Sequence, residues 1–147
     1  MTLASLPDRK TWMAVLAKAP PARLADLLPD LPTHTVLRQP EIGAVMVRGR
    51  VGATGAAFNL GEMTVTRASV RLATGEVGHA WVQGRDKGHA LRAAAVDALM
   101  QGDLAADLAA RVLQPLASDA QARRAVRAAK AAGTKVDFFT MVRGEDK

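Results

Sequence analysis

The stretch GEMTVTRASVRLATGEVGHAWVQGRDKGHALRAAAVDALM (residues 61–100) changes its period halfway, and that change decides the fold class. Over 62–72, Thr64, Thr66, Ala68, Val70 and Leu72 fall on one side and Arg67, Ser69 and Arg71 on the other. This is the two-residue alternation of a half-buried strand. Thr74-Gly75 marks a turn. Residues 76–83 then alternate again, with Val77, His79, Trp81 and Gln83 sharing a face. From Asp86 the period becomes helical: Leu91, Ala94, Ala95, Ala98 and Leu99 form one stripe, and Gly102 ends it. Strands joined by a short turn predict an antiparallel meander, with a helix ready to cover it.

Upstream, residues 8–19 carry Trp12, Val15, Leu16 and Ala19 on one helical stripe. Pro20-Pro21 stops that helix and can open a second, short one bearing Leu24, Leu27 and Leu28. Residues 34–39 read as a first extended segment. Residues 45–51 read as a strand, with Val45 and Val47 opposed to Met46, Arg48 and Arg50. A glycine-rich connection is expected over 52–61. Downstream, Leu104, Leu108 and Val112 define a helix expected to stop at Pro115. Ser118 with Gln121 matches a capping box for a further helix ending at Gly133. KVDFFTMVR (135–143) reads as a last strand with apolar residues on both faces, hence one that is well covered.

The expectation is a single α+β domain over 1–147, an antiparallel sheet (meander plus C-terminal strand) with helices packed against it. N-terminal helices occupy 1–32, strands 34–83, helices 86–132 and the final strand 135–143.

Composition narrows the function classes. Of 147 residues, 49% are apolar but only two are Trp, three Phe and none Tyr, so Ala, Val, Leu and Met must fill the core. The absence of cysteine excludes disulfides, thiol catalysis and iron–sulfur ligation by this chain. Three scattered histidines lack ligand spacing, so no metal site is expected. The formal charge of +6 favours acidic partners. The N-terminal sequence has no signal-type apolar run and no stretch has membrane-spanning length, so a cytoplasmic protein is expected.

The corner WVQGRDKGH (81–89) is the first candidate for chemistry. Gly84 permits a sharp turn and Asp86 can cap the following helix. Arg85 and Lys87 add charge to a helix start that already favours anions, and Gly88 leaves room for a ligand. His89, in the first turn, is expected to be neutral and to donate either to a phosphate or to a nearby carbonyl. Two objections stand: Asp86 can itself fill the anion's place, and an ordinary capped helix explains the same residues.

The glycines at 49–55 with Gly61-Glu62 match neither a dinucleotide fingerprint nor a phosphate-binding loop. Arg67 and Arg71 share a strand face and form a possible basic patch. Glu62 and Asp86 are acid–base candidates by location alone. Arg123, Arg124, Arg127 and Lys130 give the last helix a basic side, for which a solvated face is the plain explanation. No nucleophile–base set stands out, and no aromatic platform for nucleic acid.

Three blocks, GEMTVTRASVRL (61–72), HAWVQGRDKGHALRAAAVDALM (79–100) and VDFFTMVRG (136–144), together with the opening TWMAVLAKAPPARLADLL, resemble the PhnG family over nearly the whole chain, in order. PhnG is a small subunit of the bacterial carbon–phosphorus lyase core complex. Ala53 stands where that family favours glycine, Ala93 where some members carry cysteine, and 29–42 diverges most.

The resemblance implies a hetero-oligomer with PhnH, PhnI and PhnJ, in direct contact with PhnI. That complex displaces adenine from ATP with an alkylphosphonate. ATP would be a substrate of the complex, with the iron–sulfur cluster and S-adenosylmethionine in another subunit and no cofactor in this one. No catalytic residue is carried over. The expected contact residues are Arg85, Lys87 and His89, then Arg67 and Glu62. Neither membrane nor nucleic acid is expected as a partner. A small basic RNA- or nucleotide-binding module is the alternative.

Overall fold

The computed structural model describes residues 5–139. Helix α1 (Arg9–Lys18) starts where Asp8 accepts a hydrogen bond from the Thr11 backbone N at 2.8 Å, an N-cap that satisfies a free first-turn donor. It buries Trp12 and Leu16 and ends before Pro20. Helix α2 (Pro21–Leu27) has Pro21 in its first turn and buries Leu24. Strands β1 (His34–Arg50), β2 (Ala57–Leu72) and β3 (Val77–Gln83) form one antiparallel sheet in the order β1-β2-β3.

The even-numbered face of β2 (Thr66, Ala68, Val70 and Leu72) joins Ala80 and Val82 of β3 beneath helix α3 (Lys87–Leu99), which buries an unbroken run from Ala93 to Ala98. Small side chains let this helix lie close. At Gly78 an added Cβ would sit 1.8 Å from the Ala94 carbonyl oxygen. The core closes with Leu16, Leu24, Leu108, Val112 and Leu116 from the surrounding helices. Each such aliphatic side chain stabilises by about 1.5–3 kcal/mol on full burial.

Four expectations need correction. Residues 34–51 do not divide into two segments: β1 is one strand of 17 residues. Pro40 lies inside it, which is tolerated because β1 is an edge strand, where a missing N–H need not break a ladder. Register shifts between Val36 and Arg38 and between Arg38 and Glu41 absorb the surplus residues.

The connection expected over 52–61 is shorter. Residues from Ala57 on belong to β2, pairing Arg50 with Ala57 and Gly49 with Phe58, whose ring lies over Gly49. Inside the remaining turn Ala53 takes φ 68°, a left-handed conformation that costs an L-residue roughly 1–2 kcal/mol.

Pro115 does not stop a helix. Helix α4 (Ala105–Leu108), a π turn (Ala109–Leu113) and helix α5 (Gln114–Gly133) run on without a break, so Ser118 and Gln121 lie inside α5 and form no capping box. The chain widens into the π turn just before Pro115, where the proline ring and its missing N–H do not fit a regular α-turn.

Residues 135–139, the start of the expected final strand, have no regular structure and join no strand. The rest of that segment lies outside the described residues. Only the meander part of the expected sheet is therefore present among them.

Candidate functional site

The corner forms as the sequence predicts. Gly84 takes φ 91°, a conformation open to glycine, and swings the chain from β3 into α3. Its backbone N donates to the Thr64 carbonyl at 2.9 Å, and its carbonyl accepts from Thr66 Oγ1 at 2.8 Å, so the turn is fastened to β2. Asp86 caps α3, accepting from the His89 backbone N at 2.8 Å. The carboxylate thus occupies the place an anion would take. Arg85 and Lys87 stand exposed on either side of it.

His89 turns inward and is 2% exposed. Its Nε2 lies 2.8 Å from the Leu16 carbonyl, so that nitrogen carries the proton and donates. Nδ1 is left buried without a partner. Burial pushes the imidazole below its ordinary value, against weaker opposing effects of the Leu16 hydrogen bond and Asp86. His89 therefore ties α3 to the end of α1 and is not at the surface with Arg85 and Lys87.

Glu62 is exposed two residues along β2 from Thr64, on the strand face that carries Thr64 and Thr66. It pairs across the ladder with Met46, beyond the end of the β2–β3 pairing. Arg67 is on the other face. It lies between Glu41 of β1 and Trp81 of β3 in the register, binds Glu41 at 2.9 Å and sets its guanidinium 5.6 Å from the centre of the Trp81 ring. The Arg67 hydrogen bond, with its charge and that of Arg38, holds the Glu41 carboxyl below the usual range. Arg38, Arg67 and Arg71, with half-exposed Trp81, make this uncovered sheet face basic, and a shallow depression there is lined by Gly43, Val65, Arg67 and Trp81. The five candidates thus divide into two exposed residues at the corner (Arg85, Lys87), an exposed residue further along β2 (Glu62), a buried tie (His89) and a member of the opposite face (Arg67).

One charged residue escaped the sequence reading. Asp97 of α3 is 0% exposed and accepts four hydrogen bonds. Arg9 Nε and Nη2 donate at 3.1 and 2.7 Å, Trp12 Nε1 at 2.8 Å and the His79 backbone N at 2.9 Å. It joins α1, α3 and β3 at one point. A lone acid inside an alanine-rich stripe was the available signal. Ser69 Oγ and His79 Nδ1 share a 2.7 Å hydrogen bond on the open face, but Asp97 meets the backbone of His79 and not its ring, so no nucleophile–base–acid chain is completed. No group of three or more metal-ligating side chains gathers among the described residues. No helix among them is long and apolar enough to cross a membrane.

Fold and site together define a small α+β domain whose described residues present basic surfaces. The family described as "Phosphonate metabolism protein PhnG" matches residues 7–144. A protein of Rhizobium meliloti (strain 1021), named alpha-D-ribose 1-methylphosphonate 5-triphosphate synthase subunit PhnG, is 46% identical over 148 residues, covering 97% of this chain and 94% of that protein. The chain belongs to the PhnG family.

Proposed function

We propose that this chain is a subunit of a cytoplasmic complex that displaces adenine from ATP with an alkylphosphonate, forming a ribose 1-alkylphosphonate 5-triphosphate. Within it the chain supports the site and the assembly and does not supply the reacting groups. The observation that carries the reading is the 46% identity, across almost the full length of both chains, to a subunit named for that synthase. The arrangement of the candidate residues is in keeping with a supporting role, since His89 is buried as a tie and Arg67 is on the face away from the corner. The partners in this reading are PhnH, PhnI and PhnJ, with PhnI in direct contact. ATP binds to the complex as substrate, and the iron–sulfur cluster and S-adenosylmethionine belong to another subunit.

The test is co-expression with the other subunits, co-purification, and adenine release from ATP and methylphosphonate. Arg85→Ala combined with Lys87→Ala is expected to weaken assembly or adenine release by about tenfold or more, a change of ~1.4 kcal/mol. An intact complex with undiminished adenine release would remove the corner from the working surface. The exposed basic side of α5 favours one other reading, an RNA- or nucleotide-binding module. That reading requires salt-dependent RNA retention by the isolated chain, and a filter-binding signal that stays flat across salt dismisses it.

A further inference from the structure

Helix α5 does not stay with the body of the protein. Leu116 is its one buried residue, and from residue 121 to residue 139 every position is exposed. At 1.5 Å per residue, the helix beyond residue 120 extends about 20 Å. It carries four basic residues (Arg123, Arg124, Arg127 and Lys130) and no acid, while Asp119 at its base is occupied by Arg23 at 2.9 Å. Arg123, Arg127 and Lys130 recur at helical spacing along one side. Ala122, Ala125, Ala129 and Ala132 recur along the other, where small side chains permit close approach of packed protein. Beyond Gly133 come Phe138, 92% exposed, and Phe139, 88% exposed, two of the three phenylalanines in the chain. A lone helix with no packed face is marginal in water, and adjacent phenylalanines left in solvent leave most of their apolar surface unused.

We infer that residues 121–139 form a docking arm for another subunit of the assembly, one that offers an acidic groove to the helix and an apolar slot to Phe138 and Phe139. Charge selects this occupant over a second copy of the chain. The chain carries a net +6, and its open sheet face presents Arg38, Arg67 and Arg71 with Glu41 already engaged, so self-docking would bring like charges together. The alanine side favours protein over a phosphate backbone, which gains nothing from small apolar side chains. This inference rests on the subunit reading above and names the segment that makes the contact.

The test uses the full chain co-expressed with the other subunits. Phe138→Ser with Phe139→Ser, and separately Arg123→Glu with Arg127→Glu, are each expected to weaken retention in the complex by about tenfold or more. The phenylalanine variant should leave the melting temperature of the isolated chain unchanged, because its side chains are about nine-tenths exposed. The charge variant should stay folded, since of its two positions only Arg123 borders the body, across a depression shared with Lys10 and Lys18 of α1. The charge variant should also flatten the salt dependence of assembly. If the unaltered chain assembles and both variants assemble equally well, the docking arm is overturned and the subunit reading stands. If the unaltered chain fails to assemble, both fall. Loss of RNA retention in the charge variant with assembly intact, or loss of self-association in the phenylalanine variant with assembly intact, would also overturn the arm by giving it a different occupant.

Discussion

His89 shows how a residue marked out by its position near a functional corner can serve the core. Its place in the first turn of α3 suggests contact with an anion, yet Asp86 already caps that turn and the imidazole reaches the Leu16 carbonyl. The consequence is a pH dependence with a definite sign. In the unfolded chain the imidazole takes up its proton near its ordinary value of 6.5, whereas in the folded chain burial lowers that value. Stability is therefore full above the unfolded value, and it declines as pH falls through that value toward the folded one. His89→Gln keeps an amide donor near the Nε2 position and removes the titration. Urea unfolding at pH values between about 8 and 5 should show the wild type losing stability toward acid more steeply than the variant. Parallel curves would mean that His89 does not stay neutral in the fold. The Asp97 hub was not legible from sequence for a simple reason: two of its partners, Arg9 and Trp12, are 88 and 85 residues away in the chain, and no local pattern announces a contact of that range.

At the scale of elements, the sequence was legible wherever one face of an element is buried and the other is not. The alternation in β2 and β3 survives because the sheet packs on one side only, and the Asp86 cap was readable because capping is local. Helix α3, in contrast, is buried well beyond its expected stripe, with Leu91 and Leu99 of that stripe only half-buried. Pro115 misled because the effect of a proline depends on whether the helix can widen around its ring and missing N–H, and the π turn before it does so. Gly78 was passed over because a glycine within a strand carries no pattern of its own. Its reason is the helix above it: a Cβ there would meet the Ala94 carbonyl oxygen at 1.8 Å and the Ala98 backbone N at 2.6 Å, and neither backbone atom can move without shifting α3. Gly78→Ala should therefore lower stability by at least ~3 kcal/mol, at or beyond the upper range for an overpacked core. Denaturant unfolding measures this directly. A loss below about 1 kcal/mol would show that α3 can slide on the sheet without cost.

At the scale of the molecule, much of the exposed apolar surface lies on two arms away from the core, while Trp81 and Leu104 expose more on the body. The packed body holds α1 to α3, the stretch from α4 to the first turn of α5, and the region where β2 pairs with β3, from Val65 to Arg71. Before Val65, β2 pairs with β1 alone, so residues 44–64 form a two-stranded arm on which Met46, Val51, Phe58 and Leu60 are exposed, while residues 121–139 expose Val126, Val136, Phe138 and Phe139. A two-stranded ribbon is marginal on its own, and so is an unpacked helix. Both arms hold exposed apolar surface, and a net charge of +6 opposes its burial between isolated chains. Salt weakens that repulsion, shortening its range from about 8 Å at physiological ionic strength to about 3 Å at 1 M, while leaving the attraction between apolar surfaces in place. The isolated chain should therefore run near its monomer mass of 15.5 kDa at low salt and grow heavier as salt is raised, as measured by light scattering on a sizing column. Partner subunits present from the start should abolish that growth by covering the same residues. A mass that stays monomeric from low to high salt would show that the arms do not attract each other even when charge is screened, and that assembly of this chain depends on specific ionic contacts more than on its apolar surface.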